Sequence, residues 1–149
     1  MKNARHLLQA ALAVALSAGA LAPAFAQSSN PPAGFIAINY NRCDNNYEGW
    51  GAHLWKNPGI PLTGIEWQKP MPPTGKTDFG PYWHADLKDF GSSGKVNYII
   101  HKGDSKEQGG RDMSFDGTKV TEIWVNSGDK KIYTSLDAAK AARAADPCK

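Results

Sequence analysis

Five of the chain's ten prolines fall between Asn57 and Gly80, and a sixth, Pro81, follows directly. Proline has no backbone N–H to give a ladder and its ring clashes inside a helix, so Asn57 to Gly80 can be neither a helix nor a central strand. The segment must wrap over a surface built by its flanks, and Trp67, with Ile65 beside it, is the residue expected to pack it down. Both flanks alternate with a period of two. From Gly51 to Lys56, Ala52 and Leu54 fall on one face and His53 and Trp55 on the other. From Pro81 to Leu87, Trp83, Ala85 and Leu87 oppose Tyr82, His84 and Asp86.

The remaining elements obey the same grammar. Phe35 to Asn41 reads as a strand with Ile36, Ile38 and Tyr40 on one side, and Asp44 to Gly49 as a turn-forming loop. Lys95 to His101 reads as a well-buried strand after the Gly91–Gly94 turn, and Lys102 to Asp112 as a polar loop without an apolar anchor. Asp116-Gly117 predicts a type I′ hairpin joining Met113–Phe115 to Lys119–Val125, and Lys131 to Thr134 a further short strand. Ser135 can cap a closing helix that Pro147 ends. That helix is short and Ala-rich, so it needs Leu136 or a covalent tie to hold it. Short strands, turn signals between them and no βαβ pattern imply an all-β chain folded as an antiparallel β-sandwich with a short C-terminal helix.

The start of the chain reads as a targeting segment: Lys2 and Arg5, then an apolar run from Leu7 to Leu21, then Ala24-Phe25-Ala26 as a cleavage site. Residues 1–26 are therefore expected to be removed as a signal peptide, with 27–34 a disordered Ser/Asn/Pro-rich lead, 35–135 the sandwich and 136–149 a helical tail. Cleavage removes two of the 17 basic residues and none of the 14 acidic ones, leaving a net charge of +1. A near-neutral surface argues against nucleic acid as a partner, and no apolar run long enough for a membrane span remains after cleavage. The expected location is exported, either periplasmic or secreted. In such an oxidising compartment, pairing of Cys43 with Cys148 is the default. Two free thiols or half of a metal site are the competing readings, the latter disfavoured because no His or further Cys lies at ligand spacing. No metal and no cofactor are expected.

Five tryptophans in a small sandwich are more often core than platform, and Trp83 and Trp124 are read as structural. Trp50, between Gly49 and Gly51, suggests a ring folded over the polar loop. Trp55 differs, because Ala52 and Leu54 already claim the core face. A flat ring beside a polar loop suits a sugar, whose C–H face packs on an indole while its hydroxyls need polar partners at the side. His84 and His101 lack a Ser or Cys nucleophile nearby and read as ordinary strand residues. Asp104, Glu107 and Asp112 share a loop, as glycosidase carboxylates can, but nothing in the sequence points to a deep cleft.

Several ordered blocks carry a resemblance: Ile38–Arg42, Asp44, Asn46–Trp50, Leu54-Trp55, Asp78–Gly80 and Val96–Asp104. Over about Phe35 to Ser135 the chain resembles the bacterial pullulanase-associated starch-binding domain, family 41 of the carbohydrate-binding modules. The resemblance implies an immunoglobulin-like β-sandwich that binds α-glucans (pullulan, amylopectin, glycogen and maltooligosaccharides) and has no catalysis of its own. Carried over by position, it puts the stacking aromatics on His53 and Trp55 and the hydroxyl partners on Lys106 and Asp112; Trp50, from its own place at the end of the polar loop, is a further candidate contact. His53 stands where members can have Trp, and Asp104 is an alternative to Asp112. A different class of function stays open: a periplasmic protein-interaction or structural sandwich that reuses the fold, its Trp55 face meeting another protein.

Overall fold

The computed structural model describes residues 28–148. The expected signal peptide, residues 1–26, lies outside them. Among the described residues, nine strands and one α-helix order the chain: β1 (Phe35–Asn41), β2 (Gly51–Lys56), β3 (Ile60–Pro61), β4 (Gly75–Lys76), β5 (Pro81–Asp86), β6 (Lys95–Lys102), β7 (Ser105–Lys106), β8 (Met113–Asp116), β9 (Glu122–Asn126) and α1 (Leu136–Ala145). One sheet runs β4-β5-β1-β9, the other β3-β2-β6, with β7 and β8 sharing the far edge of β6. The two pack face to face as a β-sandwich.

The core between them is what the period-two reading supplies. Ile36, Ile38 and Tyr40 from β1, Trp83 and Ala85 from β5, and Ile123 and Val125 from β9 meet Ala52 and Leu54 from β2 and Val96, Tyr98 and Ile100 from β6. Trp83 is fully buried and donates its indole N–H to the Met71 carbonyl at 2.8 Å. The structural reading of Trp83 and Trp124 agrees with their places, Trp124 lying in a second cluster with Phe79 and Ala139 beneath α1.

Two pairings depart from expectation. β1 and β9 run parallel, Ile38 opposite Ile123 and Tyr40 opposite Val125, so the first sheet is mixed rather than purely antiparallel. The Asp116-Gly117 hairpin does not form either: β8 pairs with β6 in one sheet while β9 joins β1 in the other. Asp116 instead accepts from Thr118 N and Oγ1 through its carboxylate and from Lys119 and Val120 N–H through its carbonyl, coiling the chain into a crossover between layers. Of the short strand expected at Lys131–Thr134, only an isolated bridge between Tyr133 and Trp124 is present.

The outer face of the β1 sheet is covered. Ser135 caps α1 by accepting from the Ala138 N–H, and Leu136 and Ala139 seat the helix against Trp124 and Phe79. A disulfide joins Cys43 to Cys148, fixing the far end of the helical tail beside the end of β1, with the Cα atoms 5.3 Å apart. Residues 28–34 carry fixed contacts where composition suggested none. Ser28 Oγ, Ser29 N–H and Ser29 Oγ donate to the Glu122 carboxylate at 2.7, 2.8 and 2.8 Å, and Asn39 Nδ2 adds a fourth bond at 2.9 Å. These bonds overcome burial, which alone would raise the Glu122 pKa, and hold it below the usual carboxylate value.

Gly80 is a position where no side chain fits. Its φ is +145°, and a Cβ there would stand 2.0 Å from the Tyr40 carbonyl oxygen. Only glycine lets the chain approach β1 this closely.

Candidate functional site: the outer face of the second sheet

The outer face of the β2–β6 sheet is the surface left for function. The register sets it out in rows: Trp55 opposite Asn97, His53 opposite Ile99, and Gly51 opposite His101, which is in turn opposite Lys106. Opposed residues of an antiparallel pair point to one face, so Trp55, His53, His101 and Lys106 share it.

Trp55 is held through its backbone. Its carbonyl accepts from Asn97 Nδ2 at 3.1 Å, and it pairs with Pro61 of β3 on the other edge. Both Trp55 and His53 are half-buried, their ring centroids 5.8 Å apart. Burial lowers the His53 pKa, and the nearby His101 lowers it further, against a backbone hydrogen bond at Glu66. A neutral imidazole at this place is a partly apolar ring, as a sugar platform needs.

The proline-rich excursion docks along the open edge of β2. Leu62 N–H donates to the Leu54 carbonyl at 3.0 Å, and Met71 exchanges both backbone bonds with Ala52 at 3.0 and 2.9 Å. Pro70 lies so close to Gly51 that a Cβ there would meet its Cγ at 2.7 Å. Leu62 and Ile65 bury their side chains in the core. Between these anchors, Trp67 leaves the edge and lies on the outer face. Its ring stacks on His101 with centroids 4.0 Å apart and planes 8° apart, 5.5 Å from His53, with Lys106 Nζ 4.8 Å from its own centroid. The sequence pointed to Trp67 as packing for the excursion and to His101 as an ordinary strand residue. The structure places them at the centre of the face, and no period or motif in the sequence carries that placement.

Lys106 is exposed, but the two residues after it, Glu107 and Gln108, fix its backbone. Glu107 N–H donates to the Ile100 carbonyl at 2.9 Å. The Glu107 carboxylate is buried and accepts from the Tyr40 hydroxyl, from Arg42 Nη1 at 3.1 Å and from the Gly128 N–H at 3.0 Å. Gln108, also buried, donates to the Lys131 carbonyl at 3.1 Å. The loop Lys102–Asp112, read as lacking an apolar anchor, is tied to the opposite sheet by polar ones. Burial, and then the Glu107 carboxylate, push the Tyr40 phenol well above its usual pKa. Arg42 also holds Asp44 in a two-point ion pair at 2.6 and 2.9 Å, whose hydrogen bonding brings the Asp44 pKa down to about 2.

Asp112 is exposed and sits one residue before β8, whose first residue Met113 pairs with Tyr98. It stands at the rim of the β2–β6 sheet, and among the described residues no hydrogen bond, ion pair or ring contact joins it to the ring cluster. Asp104 lies in the tight turn between β6 and β7. Trp50 is not brought to this face. It precedes β2 on the side of Ala52 and Leu54, packs 5.7 Å from Tyr40, and carries the Arg42 guanidinium 4.4 Å above its ring.

The face is open. Two clefts, of about 370 Å³ between the excursion and β5 and about 340 Å³ beside α1, share no residue with it. Among the described residues no cluster of three or more His, Cys, Asp or Glu could hold a metal ion, and no helix is long and apolar enough to cross a membrane.

Comparison with known proteins agrees with this architecture. Residues 34–134 match the family described as "Bacterial pullanase-associated domain", the pullulanase-associated domain. A 70-residue stretch is 37% identical to an alpha-amylase of Streptomyces lividans, covering 47% of this chain and 7% of that enzyme. In structure the chain is similar to the Klebsiella pneumoniae pullulanase complexed with maltotriose, with a TM-score of 0.63 and 25% identity over 80% of this chain and 12% of that one. It also shares the fold of a family 41 carbohydrate-binding module from a streptococcal virulence factor, with a TM-score of 0.57 and 22% identity over 69% of this chain and 48% of that one. The chain thus spans a small part of the enzymes it matches and about half of the streptococcal chain. With a match over nearly all of its sandwich, the chain belongs to the bacterial pullulanase-associated domain family.

Proposed function

We propose that the chain is an exported, non-catalytic module that binds α-glucans on the outer face of the β2–β6 sheet. The observation that carries this is the row of rings on one sheet face, Trp55 5.8 Å from His53, with Lys106 on the same face. Trp55 and His53 stack the C–H faces of glucose units, while Lys106 and, from the rim, Asp112 bond to hydroxyls. Charged partners make these the stronger hydrogen bonds. An open face suits a polymer threading past it, where an enclosed pocket would suit a chain end. Names among the similar proteins support the ligand class: a pullulanase holding maltotriose and modules that recognise α-glucan. Binding without chemistry is supported by the match to a pullulanase-associated domain and by the likeness to carbohydrate-binding modules that recognise α-glucan. The Cys43–Cys148 disulfide supports export to the periplasm or beyond.

Affinity electrophoresis through gels containing pullulan, amylopectin or the isomaltose polymer dextran tests this, with Trp55→Ala alongside. The expected result is retardation by the first two and not by dextran. It should be lost in the variant, since truncating a central Trp costs about 2 kcal/mol or more. Equal mobility of the folded wild-type protein in every gel would sink the proposal and favour a face that meets another protein.

A further inference from the structure

The proline-rich excursion does more than cover an edge: we infer that Trp67 is a third sugar platform, extending the proposed face so that affinity grows with the length of the glucan. This rests on the α-glucan reading above and adds to it a residue and a subsite.

Three observations carry it. First, Trp67 is at the tip of a tight turn closed by reciprocal backbone bonds between Glu66 and Lys69, at 3.1 and 3.0 Å. A Trp needed only to pin the excursion would point inward, as Leu62 and Ile65 on the same segment do. Trp67 instead lies on the outer face and remains half-buried. Second, its ring is held in one orientation before any ligand arrives. It stacks nearly parallel on His101, a fully buried ring whose Nδ1 lies 2.9 Å from the Gly103 carbonyl, and it meets His53 edge to face at 5.5 Å. A platform fixed in advance loses little freedom on binding. Third, Lys106 Nζ, 4.8 Å from the indole centroid, puts a hydrogen-bond donor at the ring. The ammonium lies over the indole face on an exposed side chain that a stacking sugar can displace to its flank, which gives the pairing of ring and polar partner proposed for Trp55 and His53. Trp55, His53 and Trp67 then form a chain of rings with neighbouring centroids 5.8 and 5.5 Å apart, which one sugar cannot cover.

The test is calorimetric titration of the disulfide-bonded protein with maltose, maltotriose, maltotetraose and maltohexaose, for wild type, Trp67→Ala and Trp67→Phe. Wild-type affinity should rise with length. Trp67→Ala should bind the longer oligosaccharides roughly tenfold or more weakly while maltose binding changes little. Trp67→Phe keeps a ring on His101 and with it the fold, and should lose a smaller part of the same length dependence. A length dependence unchanged in Trp67→Phe and Trp67→Ala, or a loss equal at every length in both, would overturn the inference while leaving the α-glucan reading intact. Wild-type protein that binds none of the four overturns both.

Discussion

His53 shows how a single position can be tuned by its neighbours. Its imidazole is flanked by Trp55, Trp67 and His101, its Nδ1 is buried without a partner, and burial and then the His101 charge push its pKa below the usual histidine value. A lowered histidine pKa means that the unfolded chain binds the proton more readily than the folded one. Stability from this group is therefore complete above the unfolded pKa, near 6.5, and is lost as pH falls through the lower folded value. The expected outcome is a decline in unfolding free energy on acidification from pH 7 toward 5, reduced in His53→Gln. NMR titration of the ring should show a midpoint below that of a free histidine; a midpoint at or above it would contradict this account. The Glu107 carboxylate shows the opposite case. It stays buried because the Tyr40 hydroxyl, Arg42 and the Gly128 N–H all donate to it, as a buried charge requires.

At the level of elements, α1 is the part that could not stand alone. Ten residues is below the length at which an isolated helix holds in water. Its support is the Ser135 cap, the packing of Leu136 and Ala139 on Trp124 and Phe79, and the Cys43–Cys148 bond. That bond closes a loop with a sequence separation of 105 residues. The loop-entropy relation puts the stabilisation of so long a loop at about 4–5 kcal/mol. Cys43→Ser with Cys148→Ser should lower the denaturant midpoint accordingly and remove part of the far-UV helix signal, while the sheet face with Trp55 keeps its fold. An unchanged midpoint would show that packing alone holds the helix. The excursion is supported differently, by backbone bonds to both ends of the β2 edge and by two aliphatic anchors.

For the molecule as a whole, stability is concentrated in one interlayer core, and Trp83 is its largest fully buried side chain. Trp83→Ala should cost about 3–5 kcal/mol, seen as a single cooperative unfolding transition moved to lower denaturant; a loss below about 1 kcal/mol would mean the core is not shared between the sheets. Much of this architecture was legible in sequence. The faces of β2 and β5, the buried run of β6, the Ser135 cap and the cysteine pairing all follow from local periodicity or simple chemistry. What escaped has a common cause: it depends on which distant strand a segment meets. Asp116-Gly117 looks like a hairpin turn because local preference favours one, yet β9 gains more by lying beside β1. Trp67 carries no sign of its destination, which is set by Pro70 meeting Gly51 and by the buried His101. Trp50, in the loop that leads into the strand carrying Trp55, packs against the core on the side of Ala52 and Leu54, because side chains alternate between the faces of a strand and an odd spacing separates it from Trp55. The covering of the β1 sheet has a further consequence. Ser28, bonded to Glu122, and Cys148, bonded to Cys43, both sit on the layer opposite the ring-bearing face. Loss of either tie should therefore loosen the covered layer alone and leave the opposite face with its rings in register.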